Sequence, residues 1–383
     1  MIRTVKIRTT HVGSLPRPAE MTSRQPGQEE IGAGELAGYV EAIVDRQLAL
    51  GLTYVNNGEL PRADYIRSTL ERISGFDQGG IAPFPRDLEE VPEYSKRFSG
   101  RNGLITLNPK APVSLPVCSS ELDYVGEASL RAELEMLVGA FARAKARHPG
   151  SEAALFFTAP SPGTLALFLA NRHYPDEQRY LERLGEVLRR EYTIIHGYGL
   201  HLQIDCPDLA MGRHTAHKAL SDEQWLAIVE ANISVLNAAL SGIDPASCRA
   251  HICWGNYPGT HHCDIELSKI YSAILKLRPS QLSLESCNPR HAHEAVLIEQ
   301  LPFPEDKVLL PGLIDTKSNT VEHPDFVAQR LLRFAGALGA ERVIGSTDCG
   351  FASTAAAASV SGEVAWLKLA ALVEGAQRAG RRL

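Results

Sequence analysis

The sequence predicts an α/β protein: a single (β/α)8 barrel with a long inserted excursion after the second strand. Three observations carry this expectation. The second half alternates short apolar runs with helical stripes, the pattern of a parallel sheet covered by helices. A chain of 383 residues has room at that pace for roughly eight such units, the number that closes a barrel. Several of the apolar runs also end in chemically functional residues, as strands do at the mouth of such barrels.

Taken in order, residues 6–12 read as a strand, 34–50 as a helix and 52–56 as a second strand. Residues 77–123 carry many Pro and Gly and little helical periodicity. They read as the excursion, with a small antiparallel hairpin over 103–116; a connection this long is usually functional. Helix 127–147, strand 153–158 and helix 176–197 resume the alternation, followed by strand 201–205. Residues 221–240 read as a helix because Ser221 and Gln224 form a capping box. Trp225, Ile228, Val229, Ile233 and Leu236 supply its apolar stripe. Strands 248–253, 281–285, 307–314 and 342–346 alternate with helices near 265–277, from 290, over 323–338 and over 361–378. No internal repeat or linker stands out, so residues 1–383 read as one domain.

Composition narrows the function. Hydrophobic residues make up 44% and charged ones 22%, with a formal net charge of -6. That balance offers no basic field for nucleic acid. No run approaches the roughly 20 apolar residues of a membrane span, and the start, Met1 to Lys6, lacks the apolar core of a signal peptide. Seven cysteines, an odd number in a long chain, suggest reduced thiols and a cytoplasmic protein. The expected partners are small molecules, and the composition is compatible with a homo-oligomer.

The chemistry concentrates at strand ends. His251 and Cys253 flank Ile252 in Ala250-His251-Ile252-Cys253-Trp254. On a strand, residues i and i+2 share a face, so an imidazole and a thiol stand side by side, half of a tetrahedral zinc site. Ser283-Leu284-Glu285 ends a later strand in a carboxylate, and Asp348-Cys349-Gly350 follows the last one with a thiol. These four residues predict a zinc ion at the barrel mouth; buried core thiols and an isolated histidine are the plainer alternative. Two thiolates and a carboxylate would make zinc electron-rich, which favours activating a thiol over activating water. The set therefore points to alkyl transfer to or from sulfur, with a small-molecule thiol and an alkyl donor as substrates.

Other candidates read differently. His261-His262-Cys263 could bind a metal but reads rather as a solvated loop, and His291 and His293 read as helix-start residues, where i,i+2 spacing separates faces. Cys118, Cys206, Cys248 and Cys287 have no partner spacing and read as buried structural thiols. Gly13-Ser14-Leu15-Pro16 could hold an anion on its backbone N–H groups, or be a plain turn. Glu59 and Asp205, at the ends of two strands, suit a substrate ammonium or a structural ion pair.

Together these segments resemble a known family. Thr9-Thr10-His11-Val12-Gly13-Ser14, Asn57-Gly58-Glu59, Gln203-Ile204-Asp205-Cys206-Pro207, His251-Ile252-Cys253, Glu285 and Asp348-Cys349-Gly350 occur in the order of the C-terminal catalytic barrel of cobalamin-independent methionine synthase. The resemblance runs from about residue 6 to 378. It implies zinc on His251, Cys253, Glu285 and Cys349, with the zinc activating homocysteine, and an amino-acid site at Ser14, Glu59 and Asp205. Full-length synthases carry a further N-terminal barrel, for which this chain has no room. The family's folate-stacking Trp has no counterpart in Thr158 to Leu167, and Asp315-Thr316-Lys317 stands where the family has Asp-x-His. The resemblance thus retains zinc and thiol chemistry and sets the folate donor apart. Size and layout are also similar to the epoxyalkane:coenzyme M transferases of the superfamily. There Asp315 and Lys317 would be the catalytic pair, with Lys317 steadying an alkoxide or a substrate anion. A metal-free decarboxylase on the related uroporphyrinogen decarboxylase barrel, or a purely structural zinc, are the remaining readings.

Overall fold

The computed structural model describes residues 5–22, 31–64, 66–97, 113–352 and 359–383. Its strands are β1 (Arg8–Thr9), β2 (Tyr54–Val55), β3 (Ile73–Ile81), β4 (Ser114–Tyr124), β5 (Ala154–Pro160), β6 (His201–Asp205), β7 (Cys248–Ile252), β8 (Gln281–Leu284), β9 (Val308–Pro311) and β10 (Ile344–Gly345). Helices separate the strands in sequence, so the fold is α/β. Two compact units emerge: Met1–Asp64 with Arg131–Phe157 and Gln281–Leu383, and Tyr65–Leu130 with Thr158–Ser280.

In the first unit parallel strands follow one another laterally. β8 pairs with β9 in parallel, and bridges from Leu309 to Val343 and from Gly312 to Ser346 continue to β10. β10 pairs in parallel with β1, placing Arg8 opposite Ile344. Thr53 N–H donates to the Thr9 carbonyl at 2.9 Å, and β2 pairs in parallel with the start of β5. The last strand therefore lies against the first. Tyr54, Phe156, Leu310 and Ile344 form an apolar cluster within this unit. Helices Ala33–Leu50, Pro324–Leu338 and Gly362–Gly380 each turn a row of buried residues inward.

In the second unit β6 and β7 pair in parallel with Asp205 opposite His251. The helix Asp222–Ala239 starts at the expected capping box, Ser221 and Gln224 each bonding the other's backbone. The helix Glu177–Gly197 is capped by Asp176. Arg72 grips Glu191 of that helix through Nε and Nη2 at 3.0 and 2.9 Å, and both side chains are buried.

The excursion differs from its expectation. An antiparallel pair not expected from the sequence joins β3 and β4, and residues 103–112 of the hairpin expected over 103–116 lie outside the described residues. The strands near the N- and C-termini are shorter than expected. The helix expected from 290 is a 3-10 turn over Ala292–Glu294 followed by Ala295–Gln300. Among the described residues, no helix is long and apolar enough to cross a membrane.

Candidate metal and substrate site

In the second unit, β7 is buried along its whole length and delivers His251 and Cys253 together at its C-terminal end. Their ligand atoms lie within 4.8 Å of each other, as the period-2 geometry of a strand requires. Asp205 stands beside His251 on the neighbouring strand, and Cys206 N–H donates to the His251 carbonyl at 2.8 Å. Gln203 Nε2 donates to Asp205 Oδ1 at 2.7 Å, which orients that carboxylate. The Asp205 carbonyl accepts from Ser161 N–H and from Thr164 Oγ1 at 3.0 Å each.

Ser161 belongs to a short helix, Pro162–Phe168, which the prolines on either side of it disguise as a turn in the sequence. It caps that helix by accepting from Thr164 N–H, and Pro at the first helical position is favoured because its missing N–H has no partner there anyway. Beneath it Asp208 accepts from Ser161 Oγ at 2.6 Å, Thr164 Oγ1 at 2.8 Å and Asn232 Nδ2 at 2.9 Å. Burial pushes the Asp208 carboxyl up to about 6, against the lowering effect of those three donors.

In the first unit, Glu285 follows β8 and is buried. Its Oε2 accepts from Asn288 Nδ2 and from Lys317 Nζ, both at 2.8 Å. Lys317 thus serves Glu285, a role the sequence did not suggest. Asp315 Oδ1 accepts from Lys317 N–H at 2.9 Å and sets the backbone of that loop. Cys349 is buried and follows Asp348, the residue that organises this region. Asp348 accepts from the N–H groups of Ser286, Cys287 and Asn288, at 2.9, 2.8 and 2.8 Å. The loop carrying Glu285 is therefore folded around the residue preceding Cys349. Burial, then the nearby Glu285 charge, raise the Asp348 carboxyl to about 6.

Ser14 and Glu59 lie in the same unit. Ser14 is tied to the segment after Cys349: its carbonyl accepts from Phe351 N–H at 2.9 Å and its Oγ from Ala352 N–H at 3.2 Å. Gly350 allows this approach, since a Cβ there would sit 2.1 Å from Ser14 Oγ. Glu59 has φ 57°, a conformation non-glycine residues rarely adopt. Its N–H donates to Asn57 Oδ1 at 2.9 Å, and Arg17 Nη2 reaches its carbonyl at 3.4 Å. Burial lowers the Arg17 guanidinium, and the Glu59 and Asp64 charges oppose that shift. Strain of this kind collects at binding sites.

The remaining histidines and thiols sort out as follows. His291 is buried against Glu294 at 2.8 Å at the start of the 3-10 turn, as expected of a helix-start residue. Cys118, Cys206 and Cys248 are buried, and burial pushes all three thiols up. The loop His261-His262-Cys263 is not simply solvated: His261 is buried while His262 is exposed.

Parallel strands whose C-terminal ends carry imidazole, thiol and carboxylate side chains define an α/β enzyme with ligand-type residues at its strand ends. Residues 172–376 match the family described as the catalytic domain of cobalamin-independent synthase. The chain belongs to that family. A methionine synthase from Thermococcus kodakarensis is 22% identical over 383 residues, covering 98% of this chain and 94% of that protein. A 2-hydroxypropyl-CoM lyase from Xanthobacter autotrophicus is 32% identical over 168 residues, covering 37% of this chain and 43% of that protein. Among solved structures, a B12-independent methionine synthase from Shewanella sp. W3-18-1, in complex with selenomethionine, superposes with a TM-score of 0.70 at 19% identity, covering 97% of each chain.

Proposed function

We propose that this chain is a zinc-dependent transferase that alkylates a small-molecule thiol, with methyl transfer to homocysteine or a related thiol as its reaction. We read residues 1–383 as one domain whose eight parallel-type strands, β1, β2 and β5 to β10, close as a (β/α)8 barrel with β3 and β4 in the excursion. The observation that carries the reading is the donor set. His251 lies near the end of β7 and Cys253 just follows it, Glu285 follows β8 and Cys349 follows β10, and all four are buried. One imidazole, two thiols and one carboxylate complete a tetrahedral set suited to a borderline-soft ion such as zinc. Zinc on that set would supply the charge that lowers the pKa of a substrate thiol.

The chain's own residues do the rest. Lys317 and Asn288 hold the Glu285 carboxylate in place, and Asp315 fixes the backbone from which Lys317 reaches it. Glu59 and Asp205 offer carboxylates for a substrate ammonium, and the turn at Ser14 offers polar groups for its carboxylate. Selenomethionine in the similar Shewanella structure supports an amino-acid substrate, because methionine is the methylated form of homocysteine.

A second reading, opening of an epoxide by a thiol or the reverse C–S cleavage, is favoured by the 2-hydroxypropyl-CoM lyase relative and by Lys317, a cation suited to a developing alkoxide. The test is product analysis of zinc-loaded protein. Homocysteine is offered with a panel of methyl donors that includes methyltetrahydrofolate, and coenzyme M with a short epoxide. Methylated homocysteine formed only with zinc supports the first reading. Alkylated coenzyme M alone supports the second. Absence of thiol alkylation in every pairing would overturn both.

A further inference from the structure

A second group of ligand-type side chains lies wholly within the second unit and shares none of the residues assigned above. Glu90 ends the short helix Arg86–Glu89 of the excursion, and His262 and Cys263 sit in the loop after β7. Glu90 Oε2 is 2.9 Å from His262 Nε2 and 3.6 Å from Cys263 Sγ. One ligand atom from each of the three lies within 4.8 Å of the others, and the group is partly open to solvent.

The scaffold beneath is buried and fixes where these groups point. Asp87, next along the helix from Arg86, accepts from Tyr257 Oη at 2.8 Å and from His261 N–H at 2.8 Å. The His261 ring is held between Asp264 Oδ2 and the Tyr257 carbonyl, each at 3.0 Å. His261 takes φ 56°, so the chain turns sharply just before His262.

The hydrogen bonds around His262 decide which ring nitrogen is available. Thr260 Oγ1 lies 2.8 Å from His262 Nδ1 and 3.5 Å from Asp87 Oδ2. With the Thr260 hydroxyl donating to Asp87, its oxygen accepts from Nδ1–H, and Nε2 carries the lone pair a metal would use. Without a metal, a proton between Nε2 and Glu90 Oε2 makes the same contact an imidazolium–carboxylate pair. A metal-ligating histidine usually gives its other ring N–H to an oxygen that fixes the tautomer. Glu90 Oε1 is separately occupied by Arg86 Nε at 2.8 Å, which leaves Oε2 for a metal.

We propose that Glu90 Oε2, His262 Nε2 and Cys263 Sγ form a second divalent-metal site, of zinc type, that staples the excursion to the loop after β7. Nitrogen, sulfur and oxygen donors in a group of three match a zinc site with water in the remaining position. Binding breaks the Cys263 S–H bond, forms a metal–sulfur bond and releases the proton to solvent, with no change of oxidation state. The site is independent of the one assigned to catalysis.

Zinc content per chain tests it. Wild-type protein, Cys263→Ala and Glu90→Gln are loaded with zinc, passed through gel filtration in metal-free buffer and submitted to elemental analysis. Each variant is expected to hold one zinc fewer than wild type, with unchanged circular dichroism because both positions are at the surface. The comparison is a difference, so it holds whether wild type carries one zinc or two, and failure of the catalytic assignment would not mimic it. Equal zinc in wild type and both variants would overturn the proposal. So would a wild-type zinc at this site that is stripped by the column.

Discussion

Replacing Lys317 with Met should destabilise the zinc-free protein far more than the zinc-loaded one. The Lys317–Glu285 pair is 2.8 Å long, with side-chain exposures of 12% and 0%. At an effective dielectric constant near 20, that separation corresponds to about 6 kcal/mol of gross attraction. Removing the lysine also removes its own desolvation cost, and Asn288 still donates to the same Glu285 oxygen. A net loss of about 3 kcal/mol follows, the low end for breaking a buried pair from one side. Zinc bound by Glu285 would compensate the same charge, so the loss in loaded protein should fall to about 1 kcal/mol or less. Urea unfolding of wild type and Lys317→Met, with and without zinc, measures both differences. Equal losses in the two states would show that Glu285 does not bind the metal and would refute the reasoning.

Two further outcomes follow from other parts of the structure. Burial raises the folded Asp208 carboxyl to about 6 from its ordinary value of 3.8. Below pH 3.8 both states are protonated; between there and about pH 6 only the folded state stays protonated, and above that the folded state bears the cost of a buried charge. Stability from this group is thus present at low pH and lost as pH rises through 6, by about 3 kcal/mol. The stability difference between Asp208→Asn and wild type, followed by urea unfolding from pH 4 to 7, should shift in the variant's favour by about that amount; a flat difference would contradict it. Gly350→Ala should push Ser14 away, because its Cβ would fall 2.1 Å from Ser14 Oγ. Overpacking of this kind costs about 1–3 kcal/mol, and kcat/KM for the thiol should fall roughly tenfold or more as the Ser14 turn is displaced; unaltered kinetics would remove Ser14 from the substrate site.

Much of the candidate site was legible because it rests on local geometry. His251 and Cys253 share a face once β7 is a strand, and Glu285 and Cys349 follow from strands that end where the apolar runs end. What supports those residues was not legible. Asp348 binds three backbone N–H groups about sixty positions away in sequence, and no pattern along the chain announces such a bond. The Lys317–Glu285 pair, 32 residues apart, is of the same kind. The β3–β4 pair was missed because its alternation is interrupted. Register shifts fall between Ser74 and Phe76 and between Gln78 and Gly80, and Gly75 and Gly79 take φ 98° and 135°. Bulges of that sort erase the period-2 signal. The helix Pro162–Phe168 was hidden in the same way, since Pro160, Pro162 and Gly163 read as a turn. Gly163 is there because a Cβ would meet Asp208 Oδ2 at 2.1 Å.

The central claim is that His251, Cys253, Glu285 and Cys349 hold one zinc. X-ray absorption at the zinc edge tests it most directly, using Cys263→Ala so that the second proposed site does not contribute. The account predicts two sulfurs near about 2.3 Å, one nitrogen and one oxygen near about 2.0–2.2 Å. Loss of one sulfur is expected on Cys349→Ala. A zinc shell with fewer than two sulfurs in the Cys263→Ala protein, or no retained zinc at all, would contradict the account.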